Sequence, residues 1–223
     1  MKRFAIITAG GIGKRMRTEI PKQFLLLGNL PILMHSITGF YRFDNQITII
    51  LSLPQEYFNY WNNLCVQYHF EIAHKLVSGG ETRFHSIKNA LDLITEEGVV
   101  AVHDGVRPLV SSETVKRTFE TAEKTGNAVA YCDITFSVRK IKGDTNVAVN
   151  RDFYKEIQTP QAFDVKALQK AYNSEYKEGF TDDASVFEAA GHQIHLVKGN
   201  KENIKITSPE DIVIAEALLN RIR

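Results

Sequence analysis

Short apolar runs alternate along this chain with longer segments whose apolar residues recur every three or four positions. The runs at 4–8, 47–53, 99–103 and 128–132 are continuous, and the run at 71–77 is weaker. Continuous runs of this length predict strands buried on both faces. Between them, 32–42, 56–67, 83–95 and 112–124 carry helical spacing. Strands alternating with helices predict βαβ units, an α/β fold with a mostly parallel, Rossmann-like sheet and helices on both faces. A last helix is predicted after Thr207-Ser208-Pro209-Glu210-Asp211. Serine suits the cap, proline the first helical position and the acids the positive helix end. Ile212, Ala215, Leu219 and Ile222 then follow at helical spacing.

One stretch breaks the rhythm. From 133 to 158, Ile134, Phe136 and Val138 alternate with polar residues and a turn stands at Gly143-Asp144. That pattern predicts a hairpin. It projects as an arm serving a partner subunit, or it forms an edge hairpin of the same sheet. Nothing else divides the chain, so one domain over 1–223 is expected.

Composition narrows the function class. The 27 Lys+Arg against 26 Asp+Glu give a net charge of +1, and no basic–aromatic face stands out, which disfavours a nucleic-acid binder. Two cysteines, Cys65 and Cys132, make neither a disulfide framework nor a cysteine-rich zinc site. The first apolar run is shorter than a secretory h-region, and no run approaches a membrane span. A cytoplasmic protein without membrane contact is expected.

Chemistry concentrates after the first strand. Gly10, Gly11 and Gly13 permit a tight turn whose N–H groups can approach an anion. Lys14, Arg15, Arg17 and Lys22 follow closely, an unusual density in a nearly neutral chain. Glycines after a strand of a parallel sheet are where phosphorylated ligands bind. The spacing matches neither the Walker loop nor the dinucleotide fingerprint. Asp104 falls at the end of the fourth run, on the same sheet edge, with Arg107 three residues on. A lone carboxylate there suits Mg²⁺, or it caps its loop by pairing with Arg107. A second turn, Gly79-Gly80, precedes a helix containing Ser86 and could hold a base, ribose or phosphate. Residues 203–207 read as a short strand with Lys205 turned away from Ile204 and Ile206. His192 and His195 lie on opposite faces, a poor metal pair. Tyr57, Phe58, Tyr60 and Trp61 look like helix packing.

Together the segments resemble a known family. A-G-G-x-G-x-R-M at 9–16 and P-K-Q at 21–23 are similar to the signature of sugar-phosphate nucleotidyltransferases. G-G-x-x-R-x-x-S (79–86), V-H-D-x-x-R-P (102–108), Q-T-P-Q (158–161), T-D-D-A-S (181–185) and N-I-K-I-T (203–207) narrow the resemblance to the 2-C-methyl-D-erythritol 4-phosphate cytidylyltransferase family. It runs from about residue 3 to 221. It implies a homodimer with the arm reaching over the partner's site. It also implies that CTP and a polyol phosphate give a CDP-linked alcohol and pyrophosphate with Mg²⁺ or another divalent cation. By motif it places catalytic roles on Arg15, Lys22, Lys205 and Asp104, the last also as a metal contact. It places nucleotide contacts on Ala9, Gly10, Gly11, Gly13, Gly79, Gly80 and Ser86, and substrate contacts on Arg107, Ser137, Arg151 and Thr159. Ser137 stands where the family usually has threonine, Asn150 where it commonly has Asp, and Gly105-Val106 replace a common alanine pair. A sister enzyme acting on ribitol 5-phosphate shares the A-G-G-I-G start, but T-E-I-P before Lys22 and T-D-D-A-S favour the erythritol enzyme. A non-catalytic nucleotide-binding regulator on the same fold is disfavoured, because every matched cation is present.

Overall fold

Two layers of helix enclose a seven-stranded sheet in the computed structural model, which describes residues 1–11 and 20–222. The strands are β1 (Lys2–Thr8), β4 (Thr48–Leu53), β5 (Lys75–Ser78), β6 (Gly98–Asp104), β7 (Asn127–Asp133), β10 (Lys155–Asp164) and β11 (Leu196–Lys198). Two small ribbons pair β2 (Leu26–Leu27) with β3 (Leu30–Pro31) and β8 (Val138–Lys142) with β9 (Thr145–Val149). The sheet order is β11-β7-β10-β6-β1-β4-β5, and only β10 runs against its neighbours.

Alternation along each strand decides which layer it feeds. Ala5, Ile7, Ile49, Leu51 and Ala101 face α1 (Ile32–Phe43), α2 (Phe58–Gln67) and α4 (Ser112–Thr125), where Phe40, Trp61 and Phe119 fill the gap. Phe4, Ile6, Ile50, Val100 and Val102 face α3 (Arg83–Leu91), α5 (Val165–Tyr172) and α6 (Asp183–Ala189). Both faces are covered, which is why the strands read as unbroken apolar runs. A third cluster packs Ala215 of α7 (Pro209–Ile222) against Leu27, Val106 and Ile206.

The strands and helices that the pattern predicts are present, with four departures in bounds or form, while β10, α5 and α6 lie where it predicts none. The third strand is shorter, beginning at Lys75. Helix α3 ends at Leu91, although Ile94 beyond it stays buried. The hairpin turns at Gly143 (φ 57°) as predicted, but its first strand begins only at Val138. Residues 203–207 form no ladder. The Ile206 N–H donates to the Val106 carbonyl (2.9 Å), with Ile206 buried and Lys205 exposed as the alternation requires. Strand β10 was invisible because its centre, Gln158-Thr159-Pro160-Gln161, is polar yet buried. Its register against β7 shifts between Ile157 and Gln161. The aromatic group packs as expected, with Phe24 against Tyr57, Tyr60 and Trp61.

Candidate active site

Parallel pairing sets Thr8 of β1 opposite Asp104 of β6, so the Gly10–Gly11 turn and Asp104 leave the same sheet edge. Beside them, β5 leads into the second glycine turn, which is tied to the end of β4. The Gly79 N–H donates to the Leu53 carbonyl (2.9 Å) and the Gly80 N–H to Ser86 Oγ (3.0 Å). Ser86 Oγ donates in turn to the Thr82 carbonyl (2.9 Å). The N–H groups of Gly79 and Gly80 are thus used inside the protein and are not offered to an anion. A Cβ on Gly80 would sit 2.4 Å from His85 Cβ, so only glycine fits.

Between the two turns lies a cavity of about 390 Å³ whose wall includes Gly10, Gly11, Lys22, Ser86, Asp104 and Lys205. The Lys22 segment arrives by a short 3-10 turn, Lys22–Phe24, anchored from both sides. Gln23 Nε2 donates to the Ala9 carbonyl (2.7 Å), and Lys22 Nζ donates to the Ile206 carbonyl (2.9 Å). Lys205 Nζ lies 2.9 Å from Asp104 Oδ2. Three segments far apart in sequence therefore place two lysines and one carboxylate together.

Asp104 is the electrostatic centre. Arg107 Nε lies 3.3 Å from its Oδ2 and Arg83 Nε 3.7 Å from its Oδ1. Burial pushes this carboxyl up, but Arg83, Lys205 and Arg107 more than offset it and hold it well below the usual carboxylate range. Arg107 also donates to the Asn203 carbonyl (2.8 Å). The Asp104 N–H donates to Thr159 Oγ1 (3.0 Å), and Thr159 Oγ1 meets His103 Nδ1 (3.0 Å). His103 Nε2 faces the Arg107 carbonyl (3.1 Å), so it carries the proton and Nδ1 accepts from threonine. Burial depresses this histidine to about 4, which keeps it neutral.

Thr159 thus spends its hydroxyl inside the protein and holds the Asp104 backbone. It and Arg107 line a second, polar cavity of about 300 Å³ with Gln158, Gln161 and Asp182. Ser137 and Arg151 lie outside both cavities. Each is exposed on the arm, where Arg151 Nη1 donates to the Thr135 carbonyl (2.5 Å). Gly13 and Arg15, with Lys14 and Arg17, lie outside the described residues.

Among the described residues no cluster of three His, Cys, Asp or Glu could hold an ion. Both Asp104 oxygens face cations, so a divalent ion beside this carboxylate would be held mostly by the phosphates of a bound nucleotide.

The family model for 2-C-methyl-D-erythritol 4-phosphate cytidylyltransferase matches residues 4–221. The chain belongs to that family. Among its relatives, the 2-C-methyl-D-erythritol 4-phosphate cytidylyltransferase of Phocaeicola vulgatus is 49% identical over 219 residues, covering 98% of this chain and all of that one. The same enzyme of Bacteroides thetaiotaomicron is 47% identical with the same coverage. A solved 4-diphosphocytidyl-2C-methyl-D-erythritol synthase from Anaerococcus prevotii superposes with a TM-score of 0.85 at 30% identity, covering 99% of this chain and 96% of that one. Of the residues that sequence motifs single out, Lys22, Arg107, Thr159 and Lys205 meet around Asp104, whereas Ser137 and Arg151 do not. Two that they left without a role also meet there. Arg83 opens α3 although the positive end of a helix disfavours cations, a signal that was present in the sequence. Its partner Asp183 carried no such signal, lying inside T-D-D-A-S behind the capping residue Asp182.

Proposed function

We propose that this cleft transfers the cytidylyl group of CTP to the phosphate of 2-C-methyl-D-erythritol 4-phosphate, releasing pyrophosphate, as a step in non-mevalonate isoprenoid precursor biosynthesis. The convergence of Lys22, Asp104 and Lys205 beside two glycine turns carries this reading. Family membership supports methylerythritol phosphate over ribitol 5-phosphate as acceptor. It also supports an enzyme over a regulator.

The chemistry suits the residues. The acceptor's phosphate oxygen attacks the α-phosphorus in line, a P–O bond forms, and the bond to the β-phosphate oxygen breaks. The attacking phosphate is already ionised near neutral pH, so no general base is required. What must be overcome is repulsion between anions and loss of alignment. Among the described residues of the cleft, Lys22, Arg83, Arg107 and Lys205 against Asp104, Asp182 and Asp183 leave one net positive charge. Lys22 and Lys205 meet charge on the α-phosphate and the leaving pyrophosphate, joined by Arg15 of the first turn. Asp104 holds Lys205 and Arg107 in place and orients acceptor hydroxyls. Ala9, Gly10, Gly11 and Gly13 follow the phosphates, while Gly79, Gly80 and Ser86, whose N–H groups are spent, flank the base. Arg107 and Thr159 shape the acceptor cavity. A divalent cation such as Mg²⁺, held mostly by the phosphates of CTP beside Asp104, would supply charge that offsets the triphosphate.

The unit spans 1–223 with an arm at about 133–158. The arm bears exposed Phe136 and Phe153, 82% and 84% accessible, which a second protomer would cover. In a homodimer, Ser137 and Arg151 would reach the partner's acceptor phosphate. The expected setting is the cytoplasm, and among the described residues no helix is long and apolar enough to cross a membrane.

Phosphorus NMR of a reaction with CTP, Mg²⁺ and methylerythritol phosphate tests the chemistry. The expected result is a coupled diphosphate pair from a CDP-alcohol alongside pyrophosphate. Release of inorganic phosphate without that pair would refute transfer.

A further inference from the structure

The two cavities share three residues, Arg83, Asp104 and Lys205, so their common wall is where the phosphates of the two substrates meet. Lys205 and Asp104 hold each other. Arg83 joins them from the α3 side. It starts on α3, behind the Gly79–Gly80 turn, and its guanidinium ends against the first residue of α6 beside the acceptor cavity.

We propose that Asp183 and Tyr172 form a buried anchor that positions Arg83 at the junction of the two substrates. This rests on the cytidylyl-transfer reading above.

The geometry is continuous. Arg83 Nη2 lies 2.6 Å from Asp183 Oδ2, while its Nε faces Asp104 Oδ1 at 3.7 Å. Asp183 is fully buried, and Tyr172, almost as buried, donates its hydroxyl to Asp183 Oδ1 at 2.6 Å. The Tyr172 ring stacks on Phe84, the neighbour of Arg83, with centroids 4.6 Å apart. Burial pushes the Tyr172 hydroxyl upward, so it stays a donor. A carboxylate with no access to water must be paired, and Arg83 supplies that charge. The stronger, shorter pair is with Asp183. It keeps the guanidinium from collapsing onto Asp104, which leaves Asp104 Oδ2 to Lys205 and Arg107. The anchor sets the geometry at the reacting phosphates while touching neither substrate.

The test compares wild type, Asp183→Asn, Tyr172→Phe, Arg83→Gln and the double variant Arg83→Gln/Asp183→Asn. CTP-binding stoichiometry and Kd come from calorimetry, and kcat for pyrophosphate release is expressed per binding site. Asp183→Asn is expected to lower kcat per site roughly thirtyfold with CTP Kd changed less than about threefold, since misalignment costs rate more than ground-state affinity. The double variant should lose no more than Arg83→Gln alone, because Asp183 acts through Arg83. A loss confined to stoichiometry, additive losses, or an unchanged kcat in Asp183→Asn would overturn the anchor. Should Asp183→Asn not fold, Tyr172→Phe keeps the ring on Phe84. It is then expected to lose about fivefold in kcat per site, with no further loss on top of Arg83→Gln. An equal loss in both backgrounds would reject the proposal. Silence of the wild type with CTP and methylerythritol phosphate is a separate outcome: it overturns cytidylyl transfer itself, and the anchor with it.

Discussion

Asp104 remains ionised in a buried place because three cations face it, and it in turn fixes where their charge is presented. Lys205 is the cation of that set most open to the cavity. Lys205→Ala is expected to lower kcat about a hundredfold, in line with removal of a preorganised charge, while the fold survives. Steady-state kinetics beside a thermal melt would separate the two effects. Ser86 acts one step back, as the acceptor for the Gly80 N–H. Ser86→Ala leaves that donor unpaired, so a stability loss of about 1–3 kcal/mol and a raised KM for CTP are expected. His103 adds a pH dependence. It is neutral in the fold, with its proton affinity depressed from 6.5 to about 4. The unfolded chain therefore binds more protons between those values, and stability is complete above pH 6.5 and falls as pH drops towards 4. The loss is of the order of 3 kcal/mol, and His103→Asn should flatten that part of a Tm-against-pH curve. Sequence motifs made Lys22, Asp104 and Lys205 legible as single residues. They could not show that Thr159 turns its hydroxyl inward to Asp104, nor that Arg83 joins the cluster, because those facts depend on which strands lie side by side.

At the scale of elements, the site exists because loops from a rigid sheet are tied to one another. The Lys205 segment is an example, belonging to no strand. It is held by the Lys22 ammonium on the Ile206 carbonyl and by Asp211, whose Oδ2 accepts from the N–H groups of Thr207 and Ser208. Asp211→Ala removes that acceptor at the start of α7. A stability loss of about 1–2 kcal/mol is expected, as for a lost cap, with a several-fold fall in kcat as Lys205 loosens. Urea melts with matched kinetics would check both. The elements that sequence made plain were the ones whose buried residues are apolar. Strand β10 was missed because Gln158, Thr159 and Gln161 are buried polar groups with internal partners, and hydrophobic periodicity does not register those. Helix α6 was missed for a related reason. It is one short stretch whose start is marked by the Asp182–Ser185 capping box, with Asp183 facing inward.

At the scale of the whole molecule, the arm is the part that a single chain leaves unused. Phe136, Ile141 and Phe153 are exposed on it, and Arg151 lies outside the cleft. If it serves a partner, two inactive proteins should complement each other. Arg151→Ala supplies an intact cleft and Lys22→Ala an intact arm, so mixing them should restore roughly a quarter of wild-type activity through heterodimers. No recovery on mixing, from two stable proteins that exchange subunits, would place Arg151 in its own chain's cleft or outside catalysis. The hairpin itself was legible from its alternation and its glycine turn. Its purpose was not, because alternation and a turn mark a hairpin and not what it touches.

Pyrophosphate release with CTP and Mg²⁺, measured in parallel with 2-C-methyl-D-erythritol 4-phosphate and ribitol 5-phosphate, bears most directly on the whole account. Turnover with the methylerythritol phosphate, lost in Lys22→Ala and absent or far slower with ribitol phosphate, is the predicted result. Turnover with ribitol 5-phosphate alone, or CTP binding with no turnover on either acceptor, would contradict it.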